Sequence, residues 1–234
     1  MKNYKLKILL FLGSVSLAIG ITAVKAQPWQ KRNKVDLGAF IEELVKINIL
    51  DNQTQSAIWL PFEFYAEANQ AQEKNTAQIE KELEPLKPYL IFMVQCSLEK
   101  PDSSVIYESA EQLYARAILK EKNGSEIKPL TNIPGQLSAR LDAIKSLMSQ
   151  GSTQSAANMH ILVFPFNNPA GNCIVNTQKR DKLTVVLNQS ETFKKTVFKW
   201  CTPFDALTED VICPRCSEIL SAKWYYCPWC GNKL

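Results

Sequence analysis

Four cysteines in the last part of the sequence have a type and spacing that indicate a specific chemistry. Cys213 and Cys216 form one Cys-x-x-Cys pair, Cys227 and Cys230 form a second, and ten residues separate the two pairs. Two such pairs can supply four thiolates to one tetrahedral zinc ion. The two-residue gap lets the backbone turn tightly, so that both sulfurs of a pair point at the metal. We therefore predict that Cys213, Cys216, Cys227 and Cys230 bind zinc.

The residues around the cysteines support two tight turns. Pro214 and Pro228 fix φ inside the turns, and Gly231 permits a positive φ after the last cysteine. Ser217 stands where a second glycine is expected, so the first turn fits the pattern less well. The ten residues between the pairs have room for a short hairpin.

Over residues 211–234 this pattern resembles the zinc-ribbon family, which implies a structural zinc ion. Two other interpretations remain open at this point. Each pair also looks like the redox motif of thioredoxin-like oxidoreductases, but that chemistry needs a cysteine at the start of a helix in a βαβ unit, and the segment is too short for one. The four cysteines could instead form two disulfides, which an exported protein would favour.

The start of the sequence predicts export. Residues 1–26 have the form of a secretory signal peptide, with a lysine-rich start, an apolar run from Ile8 to Val24 and small residues before a cleavage site after Ala26. We expect a location in the periplasm, in the envelope or outside the cell. Alternatively, residues 8–24 stay uncleaved as a membrane anchor and the ribbon faces the cytoplasm, although the run is short for a membrane span.

The charge balance argues against binding to nucleic acid. The chain carries 27 Lys and Arg against 23 Asp and Glu, but residues 1–26 contain four lysines and no acid, which leaves 23 against 23. Phosphate binding needs a concentrated cationic face. Four thiolates would also outweigh the two positive charges of the metal.

The body of the chain predicts an α+β fold that is mainly β. After a linker at 27–35, residues 36–207 are expected to form an antiparallel sandwich-like domain with two or three short helices, followed by the zinc ribbon at 208–234. Short segments rich in β-branched and aromatic residues predict the strands. The predicted strand segments are 56–68, 88–98, 111–120, 158–166, 182–188 and 195–200. The predicted helical segments are 40–50, whose end could pass into a strand, 75–86 and the stretch after Pro134.

No catalytic site is predicted. His160 is the only histidine and lies in an alternating strand segment, where a structural role is the simpler interpretation. No nucleophile elbow, phosphate loop or histidine-bearing metal motif is present. Three further cysteines, Cys96, Cys173 and Cys201, have no pairing that the sequence can assign.

These observations together predict a non-enzymatic exported or envelope protein in which a structural zinc ribbon stabilises the chain or contacts an unknown protein partner. The aromatic residues expected to make that contact are Trp224, Tyr225, Tyr226 and Trp229, although they could equally cover the metal. The alternative function is that of a thiol-disulfide or metal-handling protein. The sequence also loosely resembles uncharacterised bacterial exported proteins that end in a zinc ribbon, and this resemblance implies no activity.

Overall fold

The structure is a computed structural model that describes residues 30–70, 76–149 and 157–234. The predicted signal peptide at 1–26, its cleavage site after Ala26 and the first residues of the predicted linker lie outside the described residues. Among the helices that are described, none is long and apolar enough to cross a membrane.

Five α-helices and eleven strands follow one another along the described chain. In chain order they are α1 (Leu37–Leu44), β1 (Val45–Leu50), β2 (Gln53–Trp59), α2 (Phe62–Gln70), α3 (Thr76–Leu83), β3 (Tyr89–Glu99), β4 (Val105–Tyr107), α4 (Ala110–Arg116), β5 (Ala117–Lys120), β6 (Glu126–Ile127), α5 (Gly135–Ser149), β7 (His160–Pro165), β8 (Asp181–Leu187), β9 (Thr196–Thr202), β10 (Val211–Ile212) and β11 (Ile219–Leu220). Short 3₁₀ turns lie at Glu84–Leu86 and Asp205–Leu207.

Two antiparallel sheets form the body of the protein. The first has the order β1-β2-β3, and β4 and β7 pair with opposite ends of the long strand β3. The second has the order β6-β5-β8-β9. The described strands contain more residues than the described helices, which confirms a mixed fold that is mainly β.

The two sheets pack face to face around an aromatic core. On β9, residues 196, 198, 200 and 202 are buried and the residues between them are exposed, as expected for a strand with one face in a core. The ring of Trp200 lies 6.1 Å from that of Trp59 and 5.3 Å from that of Phe92, both on the opposite sheet. The sandwich is therefore held together mainly by burial of large apolar side chains.

Helices cover the outer face of the first sheet and form a second core. Ile91 and Met93 point outward from β3, where they pack with Tyr65 of α2, Leu83 of α3 and Leu137 of α5. Inward-facing neighbours on β3 belong to the sandwich core. This strand is buried on both faces, which explains its nearly continuous apolar sequence.

The sequence predicted three of the helices and missed two. The prediction of one long strand over 56–68 is wrong, because β2 ends at Trp59 and α2 begins at Phe62. Pro61 lies between them, and it cannot donate the hydrogen bond that would continue the ladder. The strand predicted over 111–120 is wrong in its first half, which forms α4, and correct in its second half, which forms β5.

Candidate metal centre

The structure brings the four predicted cysteines together. Their Sγ atoms all lie within 4.8 Å of one another. The closest pairs are Cys213 with Cys230 and Cys216 with Cys227, each 3.6 Å apart. A tetrahedral ion with Zn–S bonds of about 2.3 Å holds its sulfurs about 3.8 Å apart, whereas a disulfide needs about 2.05 Å. The arrangement therefore fits four ligands around one metal ion and not two disulfides.

Two backbone turns with the same hydrogen bonds hold the cysteines. Residues 211–234, which we call the cysteine module, contain the short β10–β11 hairpin followed by the second turn. In the first turn the N–H of Ser217 donates to the carbonyl oxygen of Cys213 at 2.9 Å. In the second turn the N–H of Gly231 donates to the carbonyl oxygen of Cys227, also at 2.9 Å. The turns are thus repeats of one another.

The residue after the second cysteine of each pair has a left-handed backbone. Ser217 has φ of 61° and Gly231 has φ of 71°. Glycine adopts this conformation without cost, whereas a residue with a Cβ does not. The sequence analysis recognised Ser217 as a departure from the pattern, and the structure shows that the serine nevertheless takes the conformation of a glycine.

The protonation of these thiols depends strongly on their neighbours. Burial alone would raise the pKa of Cys213, but hydrogen bonds from the backbone N–H groups of Cys216 and Arg215 outweigh burial and lower the pKa to about 6. The N–H of Glu218 lowers the pKa of Cys216, yet burial and the three neighbouring thiols raise it to about 12. Burial and the neighbouring thiols thus disfavour a second thiolate in the cluster, and a bound cation would offset this effect.

The cysteine module has a very small apolar core of its own. Cys213 and Cys227 are buried beside Leu220, while Val211 and Leu234 pack against them and remain partly exposed. A core of this size cannot offset the conformational entropy that the segment loses on folding. A metal crosslink between the two turns would supply the missing stabilisation.

Polar contacts attach the module to the sandwich. The Asp205 carboxylate accepts hydrogen bonds from the Ser221 hydroxyl at 2.7 Å and from the N–H of Ala222 at 2.8 Å. The Lys223 ammonium lies 3.3 Å from the same carboxylate and also pairs with Glu43 at the end of α1. Because Lys223 lies 180 positions after Glu43 in the sequence, this ion pair fixes the module against a distant part of the chain.

Arg180 and the first described residues complete the attachment. The Arg180 guanidinium donates to the carbonyl of Ala222 at 3.1 Å and lies 4.9 Å from the centre of the Tyr225 ring. The N–H of Arg32 donates to the carbonyl of Leu207, and the N–H of Glu209 donates to that of Gln30, both at 2.9 Å. The start of the described chain therefore lies at the base of the module.

The four aromatic residues predicted to make contacts are exposed. Relative exposure is 38% for Trp224, 57% for Tyr225, 59% for Tyr226 and 58% for Trp229. The rings of Trp224 and Trp229 lie 5.6 Å apart. At least a third of each of the four side chains is therefore accessible to solvent.

A buried ionic network in the sandwich was missed in the sequence. Arg116, at the end of α4, donates to both carboxylate oxygens of Glu108 at 2.7 and 2.8 Å, and both side chains are almost fully buried. The guanidinium also donates to Gln55 at 3.1 Å and contacts the Cys96 sulfur at 3.3 Å. Nothing in the spacing of these residues indicates the network, because it joins strands and a helix from separate parts of the chain.

The remaining candidates have simple structural surroundings. His160 Nε2 lies 3.0 Å from the Glu108 carbonyl, next to the buried network. Cys96 is buried, and burial is the main cause that raises the pKa of its thiol. Cys173 and Cys201 are exposed, and none of these three cysteines forms a disulfide.

Comparisons with known proteins assign no family to this chain. No family of known proteins matches it, and no curated protein matches it. The chain is similar to a DUF4426 family protein from Pseudomonas aeruginosa PAO1, whose crystal structure at 2.09 Å resolution aligns with 68% of this chain and 94% of that one. The sequence identity is 10% and the TM-score is 0.30, and at this level the similarity carries no argument.

Proposed function

We propose that residues 211–234 form a zinc ribbon and that the protein is a non-enzymatic exported or envelope protein, in which the metal stabilises the end of the chain. The observation that carries the proposal is the convergence of four sulfurs within 4.8 Å on two equivalent turns. An all-sulfur tetrahedral donor set favours zinc over calcium or magnesium, which prefer oxygen ligands.

The donor set supports a structural site better than a catalytic one. A catalytic zinc keeps one position open for water or substrate, whereas four cysteines fill all four positions. Bound zinc would also keep the thiols from oxidising after export. The predicted signal peptide supports export, and mass spectrometry of the envelope or secreted fraction should find a mature N-terminus at Gln27.

Metal analysis and alkylation test the zinc site directly. We expect the purified protein to contain about one equivalent of zinc, and we expect the four module cysteines to resist alkylation until a chelator is added. Cys227→Ser should lower zinc occupancy and loosen the module, while the sandwich keeps its β-rich circular dichroism spectrum. Cys173→Ser is the matched control, because Cys173 is exposed and lies outside the module.

The alternatives predict different results on the same sample. A thiol-disulfide enzyme would contain no zinc, and its low-pKa cysteine would alkylate rapidly at neutral pH. A disulfide-stapled module would contain no zinc and would have a mass lower by two hydrogens per bridge. Either outcome would overturn the zinc proposal.

A further inference from the structure

We propose that the metal-bound module is a latch that keeps the first described residues of the chain docked on the body. These residues are 30–33, which we call the strap, and they lie on residues 207–210, which we call the connector. This inference rests on the proposed function and adds a regulatory role to it. The strap is docked while zinc is bound to the module and is released when zinc is lost.

The strap and the connector are joined by backbone hydrogen bonds. The N–H of Arg32 donates to the carbonyl oxygen of Leu207 at 2.9 Å, and the N–H of Glu209 donates to the carbonyl oxygen of Gln30, also at 2.9 Å. Together these bonds form a short antiparallel bridge. Because both N–H groups lose their acceptors when the strap leaves, their hydrogen exchange reports on docking of the strap.

The side chains of the strap provide no apolar anchor. All four strap residues are polar, and none is buried. The Arg32 guanidinium donates to the Thr208 carbonyl oxygen at 3.0 Å and pairs with Asp210 at 2.7 Å. Lys31 pairs with Glu67 of α2 at 2.7 Å, but the lysine side chain is 64% exposed. Since exposed ion pairs contribute little, docking depends mainly on a connector that is itself held in place.

The connector is held on a sandwich side and on a module side. On the sandwich side, the Glu43 carboxylate accepts hydrogen bonds from the N–H groups of Asp205 and Ala206, at 3.1 and 2.7 Å. On the module side, the chain continues into β10 at Val211, and the Ser221 hydroxyl donates to the Asp205 carboxylate at 2.7 Å. Loss of the metal would remove the second support, because the core of the module is too small to keep it folded alone.

The strap and the module also lie on opposite sides of one shallow cleft. The cleft has a volume of about 230 Å³ and is lined by Arg32 of the strap, Asp205, residues 208–210 of the connector and residues 219–221 of the module. Unfolding of the β10–β11 hairpin would therefore open one wall of the cleft. The opposite wall contains the strap, so the two segments are close enough for the state of one to affect the other.

Release of the strap would expose a site for proteolysis. Lys31, Arg32 and Lys34 lie within four residues, and proteases that cut after basic residues act on segments that leave the folded body. The zinc-loaded protein is therefore protected at this segment, and the metal-free protein is cleaved there.

Hydrogen exchange tests the latch on the full chain. The zinc-loaded protein is compared with the same protein after treatment with a chelator and a reductant, and zinc content is measured on every sample. We expect exchange in residues 30–33 and 207–210 to accelerate at least about fivefold when zinc is removed, which is the lower end of typical coupling between two sites. The β8–β9 ladder of the sandwich is the internal reference and should exchange at an unchanged rate.

A pair of variants tests the same coupling in the opposite direction. Coupling between two sites is reciprocal, so a loosened strap should weaken zinc binding. Arg32→Ser removes the side-chain bonds to Thr208 and Asp210, and it should lower zinc affinity about two- to fivefold in competition with a chelating dye. Lys34→Ser is the matched control, because it removes an exposed cation that has no described bond to the connector, and it should bind zinc like the wild type.

The possible results separate this inference from the proposed function. A zinc-loaded protein whose strap exchanges at the same rate after zinc removal overturns the inference alone. The inference also fails if Arg32→Ser binds zinc as tightly as the wild type, or if Lys34→Ser weakens zinc binding equally, since the effect would then come from net charge. A protein that binds no zinc refutes the proposed function and this inference with it, and the zinc analysis identifies that case.

Discussion

Ser217 and Gly231 occupy the same position in the two cysteine turns, and this equivalence predicts that Ser217→Gly strengthens the metal site. Both residues have a positive φ, of 61° and 71°. A left-handed conformation costs a residue with a Cβ roughly 1–2 kcal/mol. Glycine also increases the conformational entropy of the unfolded chain, which reduces this stabilisation by about 0.4–1 kcal/mol. Ser217→Gly should therefore stabilise the folded module by about 0.5–1 kcal/mol.

The opposite substitution, Gly231→Ala, tests the same backbone cost in the second turn. At Gly231, a Cβ atom would meet nothing within 4 Å, so Gly231→Ala introduces the backbone cost without a clash. We therefore expect Gly231→Ala to weaken the module by about as much as Ser217→Gly strengthens it. If metal binding and folding of the module are coupled, each change appears as about a two- to fivefold change in zinc affinity, in opposite directions.

Competition with a chelating dye measures these affinities. Ser217→Ala serves as the control, because it keeps the Cβ and loses only the hydroxyl, and it should bind zinc like the wild type. The reasoning fails if Ser217→Gly binds zinc no more tightly than the wild type. It also fails if Gly231→Ala has no effect, since that would mean that positive φ carries no cost in these turns.

Two further predictions concern the attachment of the module and the buried network. Burial lowers the pKa of Lys223, but its hydrogen bonds and ion pairs with Glu43 and Asp205 outweigh burial and raise the pKa above 10.5. The contribution of Lys223 to the free energy of unfolding is therefore complete below pH 10.5 and is lost as pH rises through the raised pKa. Lys223→Met should lower the free energy of unfolding by about 1–2 kcal/mol at neutral pH. In thermal melts at alkaline pH, the variant should lose less further stability than the wild type does. Arg116→Met should cost about 3–5 kcal/mol in chemical denaturation, because it leaves the buried Glu108 carboxylate without its partner, whereas the double variant Arg116→Met/Glu108→Leu should lose less.

The sequence predicted local features well, because their causes lie within a few residues. The spacing of the cysteines predicted their convergence, since two turns with the same pattern can meet around one ion. The helix α4 was missed although its signal is local too. The Ser109 hydroxyl accepts from the Gln112 N–H, and the Ser109 N–H donates to the Gln112 side-chain oxygen. The spacing of this serine and glutamine could have revealed the capping box.

Other features could not be read from the sequence, because they depend on contacts between distant segments. The pair of Lys223 with Glu43 joins residues 180 positions apart, and no local pattern encodes it. In the sequence, Arg116 looks like an ordinary basic residue at the end of a helix. Only the fold places it in the core beside Glu108 and Gln55. The aromatic residues of the module were predicted as candidates, but their exposure also required the structure.

The residues that hold the module on the sandwich all precede it in the sequence, which sets the order in which they are synthesised. Glu43, Arg180 and Asp205, which hold the module on the sandwich, are all synthesised before its first cysteine. At typical rates of synthesis, Gln30 is made roughly 10–40 s before its partner Glu209. Each of these docking residues therefore leaves the ribosome before the module that it holds.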